Sequence, residues 1–103
     1  MYYTYIIRCS DNSLYTGITT DYNRRFEEHK NKTDKCAKYT LRHSAESIEA
    51  VWQSNSRADA SKLEYRIKHL NKEQKEKIIL DKSSFVTILN NLLEVKDYVR
   101  IKL

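Results

Sequence analysis

The chain has 103 residues, of which 40% are hydrophobic and 32% are charged. This length leaves room for one core and one shallow site, and it excludes a deep cleft between two domains. Because 19 lysines and arginines outnumber 14 aspartates and glutamates, the net charge of +5 favours a polyanionic partner such as nucleic acid or an acidic membrane surface. A basic surface without a ligand explains the charge equally well.

The N-terminus and the two cysteines bear on where the protein works. Residues 1–8 are too short and too polar for a signal peptide, and no stretch approaches the roughly 18 apolar residues of a membrane span. Cys9 and Cys36 have neither a CxxC nor a zinc-finger spacing, so we expect reduced thiols. The sequence therefore predicts a cytoplasmic protein that is soluble and has no membrane partner.

No linker or repeat interrupts the chain, which contains no proline and one glycine. We therefore expect a single domain over residues 1–103. Its core is predicted to span about residues 2–80, with a C-terminal helix and tail over residues 84–103.

The first half of the chain predicts a hairpin followed by a helix. Residues 2–9 and 14–18 are rich in tyrosine, isoleucine and threonine, which is typical of strands. Asp11, Asn12 and Ser13 between them are turn residues, so the two strands should form an antiparallel hairpin. The carboxylate of Asp21 is suited to cap a helix that runs to about Lys30.

An irregular basic segment over residues 31–45 is predicted to be a loop, and residues 47–53 are predicted to form a third strand. One face of this strand should carry Ile48, Ala50 and Trp52. Val51 should lie on the opposite face, since side chains alternate along a strand. We expect Trp52 to belong to the core.

Three more helices are predicted after this strand. Ser56 should cap the first of them, whose apolar face has helical spacing and consists of Ala60, Leu63, Ile67 and Leu70. Asn71 and Gln74 have the spacing of a capping box for the second. Ser84 should cap the third, and the tail after Leu93 is compatible with helix, strand or loose docking.

The predicted order is strand, strand, helix, strand, helix, helix, helix. This order favours an α+β fold with sandwich-like layers, in which a small three-stranded sheet, antiparallel or mixed, is flanked by helices.

The strongest functional pattern lies at the end of the hairpin. Gly17 stands two residues after Tyr15, where a glycine lets a backbone or a phosphate approach closely. Arg25 and His29 are four residues apart and share one face of the following helix. A guanidinium and an imidazole beside a strand tyrosine are suited to grip and attack a phosphodiester.

The motifs Tyr3-Thr4-Tyr5 and Tyr15-Thr16-Gly17, followed by Arg25 and His29, resemble the GIY-YIG nuclease superfamily. The first triplet departs from Gly-Ile-Tyr at two positions and the second has Thr16 in place of isoleucine. Residues 60–68 resemble the family's second helix, which places its metal-binding glutamate at Glu64. Residues 37–40 look like a loop of the small stand-alone bacterial branch, and the resemblance covers about residues 2–80.

The resemblance implies a GIY-YIG-like fold and a division of catalytic roles. Glu64 would hold one Mg²⁺ or Mn²⁺ that acts as a Lewis acid near the leaving oxygen. Arg25 would bind the non-bridging phosphate oxygens. Tyr15, alone or with His29, would position and deprotonate the attacking water, and the sequence leaves open which of them is the base. Tyr5 would orient the water or the phosphate.

Five further residues are candidates for nucleic-acid binding. Arg24, Lys38 and Arg42 are suited to phosphate contacts, and Tyr39 is suited to a base face. Gly17 would allow close approach of the phosphate.

Each candidate residue also has an ordinary structural explanation, and only their joint occurrence favours catalysis. Glu64, for example, stands four residues before Lys68 and can form a helical ion pair with it. No role is assigned to His43 or His69.

The sequence therefore predicts a metal-dependent endonuclease that hydrolyses DNA, with structured or damaged substrates, low sequence specificity and a role in repair or recombination. One alternative is a nucleic-acid-binding module that keeps the fold without cutting. Another is a small interaction domain whose C-terminal segment docks a protein partner or a second copy. The choice between DNA and RNA, the substrate shape and the oligomeric state stay open.

Overall fold

A four-stranded antiparallel sheet organises the fold in the computed structural model, which describes residues 1–32 and 37–103. The strands are β1 (Tyr2–Cys9), β2 (Leu14–Thr19), β3 (Ala45–Ser54) and β4 (Val99–Arg100), and their order in the sheet is β2-β1-β3-β4. The helices are α1 (Tyr22–Lys30), α2 (Lys38–Arg42), α3 (Arg57–Lys68), α4 (Lys72–Leu80) and α5 (Lys82–Leu89). A 3₁₀ helix covers Val95–Asp97.

The predicted α+β class is confirmed, and the predicted strand count was wrong by one. The additional strand is β4, which comes from the tail that the sequence left open. It pairs with β3 at Trp52 and Gln53, because the 3₁₀ helix turns the chain back along the outer edge of β3. The division of the chain into one domain with a separate C-terminal segment stays a prediction.

The hairpin between β1 and β2 forms as predicted. Asn12 has a φ of 69°, a left-handed conformation that asparagine tolerates better than most residues. The side chain of Asp11 accepts a hydrogen bond from the backbone amide of Ser13 at 3.1 Å. These local bonds bring the tyrosine-bearing strands side by side, with Tyr5 paired to Gly17.

A register shift between β1 and β3 changes which side chains face the core. The shift falls after Ile6, so that Ile7 pairs with Ile48 and Glu49 is an extra residue in β3. Such a bulge moves the following side chain to the other face of the sheet. Ile48 therefore packs on the same face as Val51, and its predicted placement on the opposite face was wrong.

The two faces of the sheet carry two separate apolar clusters. The face covered by α3, α4 and α5 (the α3 face) contains Ile6, Ala50, Trp52, Leu63, Ile67, Ile78, Phe85 and Leu89. The face covered by α1 and α2 (the α1 face) contains Tyr5, Ile7, Cys9, Ala45 and Val51, with Tyr15, Phe26 and Tyr39 packed against them. Trp52 is a core residue, as predicted. Cys9 is a buried free thiol, whereas Cys36 lies outside the described residues.

Most predicted helix starts are confirmed by their caps. Asp21 accepts from the amide of Arg24 in α1, and Ser56 caps α3. The capping box of Asn71 and Gln74 forms in both directions. The prediction for Ser84 was wrong, because the Asp81 carboxylate caps α5 and accepts a hydrogen bond from the backbone amide of Ser84, so that the helix cap lies three residues earlier than predicted.

Helix α2 lies inside the segment that was predicted to be a loop. Five residues form too short a helix to be stable by local propensity alone. Two of them pack inward, since Thr40 is fully buried and Tyr39 stacks against Tyr15. Tertiary contacts therefore hold this helix, and they place its basic residues beside the hairpin.

No helix within residues 1–32 and 37–103 is long and apolar enough to cross a bilayer. The longest, α3, has 12 residues, against the roughly 20 that a transmembrane helix needs.

Candidate active site

Four of the predicted catalytic residues meet on the α1 face of the sheet. Tyr5 lies on β1, Tyr15 on β2, and Arg25 and His29 on α1. The Tyr5 hydroxyl lies 2.9 Å from Nε2 of His29, and the rings of Tyr15 and His29 have their centroids 5.3 Å apart. The hairpin register and the helical spacing of four residues together produce this meeting point.

Gly17 leaves room for the Tyr5 ring, which crosses over it from the neighbouring strand. A β-carbon built at position 17 would lie 2.7 Å from Cζ of Tyr5, well inside the distance of an ordinary contact. The absence of a side chain thus lets Tyr5 turn its hydroxyl toward His29. Close approach of a phosphate to Gly17 stays a prediction.

Replacing Gly17 with alanine is expected to lower the free energy of unfolding by about 1–3 kcal/mol, since the new methyl group overpacks the site against a buried ring. Urea denaturation followed by circular dichroism measures the change. The same substitution in a Tyr5→Leu background should cost less, because the ring is gone. An equal cost in both backgrounds would contradict the contact.

His29 is fully buried between two hydroxyl groups. Its Nε2 faces the Tyr5 hydroxyl, and its Nδ1 lies 2.6 Å from Oγ1 of Thr40 on α2. Burial, together with the neighbouring charge of Arg25, lowers the pKa of His29 to about 4. The imidazole is therefore neutral near pH 7, and both of its nitrogens already have protein partners.

Arg25 lies beside the Tyr5 hydroxyl and is held by Glu28. Its Nη1 atom donates to Oε1 of Glu28 at 3.0 Å. Burial disfavours the guanidinium charge, but the bonds to Glu28 and to the Tyr5 hydroxyl outweigh this effect and raise the pKa of Arg25. Burial, with the nearness of Tyr15, raises the pKa of Tyr5 well above its ordinary value. The site thus contains a fixed cation next to a phenol that keeps its proton.

Glu64 approaches the same point from α3. Its charge is one of the causes, after burial, that raise the pKa of Tyr5. The predicted helical ion pair also forms, with Nζ of Lys68 at 3.2 Å from the carboxylate and 5.9 Å from the centre of the Tyr15 ring. Glu64 therefore forms the ordinary helical ion pair with Lys68 and also lies near the predicted catalytic residues.

The predicted nucleic-acid contacts fall into two groups. Arg24 is exposed on α1, and Lys38 and Arg42 are exposed on α2, where their charges face solvent. Tyr39 is half-buried, and its ring stacks with Tyr15 at 5.6 Å and with His43 at 4.3 Å between centroids. The ring of Tyr39 is thus already engaged in a stack that leads to Tyr15.

Sequence reasoning missed two residues that contact the site. Thr40 forms a hydrogen bond with Nδ1 of His29, and no spacing rule relates two residues that are eleven positions apart across a predicted loop. His43 was given no role, yet it stacks on Tyr39, and its Nδ1 lies 2.5 Å from Oδ2 of Asp11 in the hairpin turn. Its position four residues after Tyr39 would have signalled the stack, had α2 been predicted as a helix.

The donor set around Glu64 limits which metal ions fit. Within residues 1–32 and 37–103, no three His, Cys, Asp or Glu side chains are grouped to hold a metal ion. Glu64 offers one partly exposed carboxylate. This donor set fits Mg²⁺ or Mn²⁺, since Mg²⁺ retains several waters and takes further ligands from a substrate phosphate.

The chain is similar to a family of catalytic domains and to several small bacterial proteins. The family described as the GIY-YIG catalytic domain matches residues 1–77. A UPF0213 protein of Fusobacterium nucleatum is 43% identical over 95 residues, covering 92% of this chain and 93% of that protein. The UPF0213 protein YhbQ of Salmonella typhimurium is 44% identical over 92 residues, covering 88% of this chain and 89% of YhbQ.

The solution NMR structure of the UPF0213 protein BH0048 from Bacillus halodurans is 37% identical. The match covers 77% of this chain and 83% of that one, with a TM-score of 0.47. These relatives are small bacterial proteins of similar length. The match over residues 1–77 takes in both tyrosine motifs, α1 and α3, and the chain therefore belongs to the GIY-YIG family of nucleases.

Proposed function

We propose that this protein is a metal-dependent endonuclease that hydrolyses phosphodiester bonds of DNA, with low sequence specificity and a preference for structured or damaged substrates. The observation that carries the proposal is the convergence of Tyr5, Tyr15, Arg25, His29 and Glu64 from four different elements onto one point. Structural residues have no common reason to meet there, whereas phosphodiester hydrolysis needs a base, a cation and a metal ligand together.

Arg25 is suited to bind the non-bridging oxygens of the scissile phosphate. Its guanidinium is held by Glu28 and Tyr5, so that it loses little side-chain freedom when a substrate binds. A planar fork of donors matches two phosphate oxygens at once, which lysine cannot reproduce. Negative charge that develops on these oxygens in the transition state would then be stabilised in place.

Tyr15 is the better candidate for the group that deprotonates water. The alternative, His29, is shielded from solvent and has a pKa of about 4, so it would be a weak base with no direct access to water. Tyr15 is only half-buried, and Lys68 lies near its ring. Its access to solvent, which His29 lacks, supports Tyr15 in this role.

Glu64 would hold the single Mg²⁺ or Mn²⁺, which would act as a Lewis acid on the leaving oxygen. Exposed cations of α1 and α2, namely Arg24, Lys38 and Arg42, would contact phosphates on either side of the cut. Such contacts are independent of base sequence, which supports low specificity.

A panel of labelled single-stranded, duplex, flap and branched DNAs, together with RNA, tests the proposal with Mg²⁺, with Mn²⁺ and with chelator. We expect metal-dependent cutting of at least one DNA.

In Arg25→Lys, kcat/KM should fall by about 100-fold, since the charge remains but the bidentate geometry is lost. Arg66→Lys is a matched control, because Arg66 is also half-buried but packs over Tyr65 on α3.

Two outcomes would count against the proposal. Salt-dependent DNA binding without cutting under any condition would favour the binding module that keeps the fold. An Arg25→Lys protein as active as Arg66→Lys would remove Arg25 from the site. Docking through the C-terminal segment has less support, since Val95 and Tyr98 of that segment pack against the chain's own core.

A further inference from the structure

Thr40 connects helix α2 to the buried pair of Tyr5 and His29. Its side chain is fully buried, and its Oγ1 atom lies 2.6 Å from Nδ1 of His29 and 3.1 Å from the carbonyl oxygen of Ala37. A threonine hydroxyl has one hydrogen to donate. Because a carbonyl oxygen can only accept, Thr40 donates to Ala37, and the hydrogen between Thr40 and His29 must come from Nδ1.

The other end of the imidazole leads to the same assignment. The Tyr5 hydroxyl is buried, and it hydrogen-bonds with both Arg25 and His29. A guanidinium can only donate, so of these two partners only His29 can accept the phenolic hydrogen. Nε2 of a neutral His29 is then the acceptor, which again requires the hydrogen to be on Nδ1.

The hydrogen bonds from Arg25 to Ala37 therefore form one chain, in which every donor points in the same direction. Arg25 donates to the oxygen of Tyr5, Tyr5 donates to Nε2 of His29, His29 donates from Nδ1 to Thr40, and Thr40 donates to Ala37 at the start of α2. The first and last bonds cannot be reversed, and reversing either bond of the imidazole would leave a buried donor or acceptor without a partner. Such chains are polarised along their length, and their members have one favoured arrangement.

We propose that Thr40 is a positioning residue, which fixes His29 as the Nδ1-protonated tautomer and thereby ties the substrate-binding helix α2 to the orientation of Tyr5 and Arg25. This inference rests on the proposed function for its catalytic consequence, but the tautomer itself is independent of that function. Lys38 and Arg42 flank Thr40 on the exposed side of α2. A phosphate backbone held by these two residues would then lie at a fixed distance from Arg25.

The test uses Thr40→Val, which keeps the shape of the side chain and removes the hydroxyl, and Thr40→Ser, which restores the hydroxyl. Thr4→Val is the matched control: Thr4 is also fully buried and donates to a backbone carbonyl, that of Ala60 at 3.0 Å, but it lies on the α3 face. Long-range ¹H–¹⁵N spectra of the histidine side chains report which ring nitrogen of His29 carries the hydrogen.

We expect wild type, Thr40→Ser and Thr4→Val to show His29 with its hydrogen on Nδ1. Thr40→Val should show a mixture of tautomers or protonation at Nε2, together with faster amide hydrogen exchange in α2. Cleavage by Thr40→Val should fall by about tenfold, as for the loss of one partner of a buried hydrogen bond, and Thr40→Ser should recover most of it.

A wild-type His29 with its hydrogen on Nε2 would overturn the inference, and this measurement needs no variant that might fail to fold. An unchanged tautomer and unchanged exchange in a folded Thr40→Val would overturn it as well. If wild type binds but does not cut, the proposed function fails while the tautomer and the exchange rates still decide the role of Thr40.

Discussion

Replacing Glu64 with glutamine is expected to lower the cleavage rate by about 100-fold or more while DNA binding changes little. Glutamine keeps the size of the side chain but loses the negative charge that holds a hard divalent ion. The loss of the ion pair with Lys68 should cost little stability, because exposed pairs four residues apart on a helix contribute about 0.3–0.5 kcal/mol. A fall in rate without unfolding would therefore report on metal binding.

Glu73→Gln is the matched control for this substitution. Glu73 forms the same kind of helical pair, with Lys77 at 3.3 Å, but on α4 and away from the tyrosines. Initial rates over a range of Mg²⁺ and Mn²⁺ concentrations, with DNA binding measured in parallel, separate the two variants. A Glu64→Gln protein that cuts as fast as Glu73→Gln would show that Glu64 is not the metal ligand.

The parts of the fold that depend on short-range chemistry were predictable from the sequence. The turn at Asn12 and the capping box at Asn71 form because short polar side chains bond to the backbone within three residues, whatever the rest of the chain does. Helix α2 depends instead on contacts with Tyr15 and His29, which are distant in sequence. A loop was predicted there because local propensity is all that a single sequence displays.

Strand register and side-chain burial were also beyond what the sequence alone could predict. The alternation rule assumes an unbroken strand, so the bulge at Glu49 reversed the predicted face of Ile48 without any warning in the pattern. The sequence likewise placed His29 on one face with Arg25 but did not reveal that the imidazole is fully buried. That burial is the observation that favours Tyr15 over His29 as the proposed base, a choice that spacing alone left open.

The candidate site was recognisable because its residues occur in order, even though each has an ordinary explanation alone. The ion pair of Glu64 with Lys68 is an example. The pair forms, as the ordinary structural explanation predicted, and it does not exclude a catalytic role for Glu64. Lys68 lies over the Tyr15 ring as well, so the pair brings a cation to the tyrosine and an anion to the proposed metal site. Neither role follows from helical spacing by itself.

Tyr15→Phe is expected to reduce kcat by about 100-fold to 10,000-fold, the range found when a general base is removed, with little change in KM. Phenylalanine keeps the ring that packs on His29 and Tyr39, so the fold and the shape of the site should persist. Only the hydroxyl, and with it the route for the proton of the attacking water, is lost. Single-turnover cleavage rates from pH 6 to 10 measure the effect and its pH dependence.

Tyr22→Phe provides the comparison, because Tyr22 is also half-buried on the α1 face but lies against Tyr3, at 5.0 Å between ring centroids. It should cut at close to the wild-type rate. Near-normal activity in Tyr15→Phe would return the base to His29, whose buried position would then require the substrate or α2 to move before water could reach it. A large loss of activity in Tyr15→Phe, with the residual cutting rate still dependent on Mg²⁺ concentration, would instead separate the proton acceptor from the metal ligand, since Glu64→Gln should lose that dependence together with the cutting.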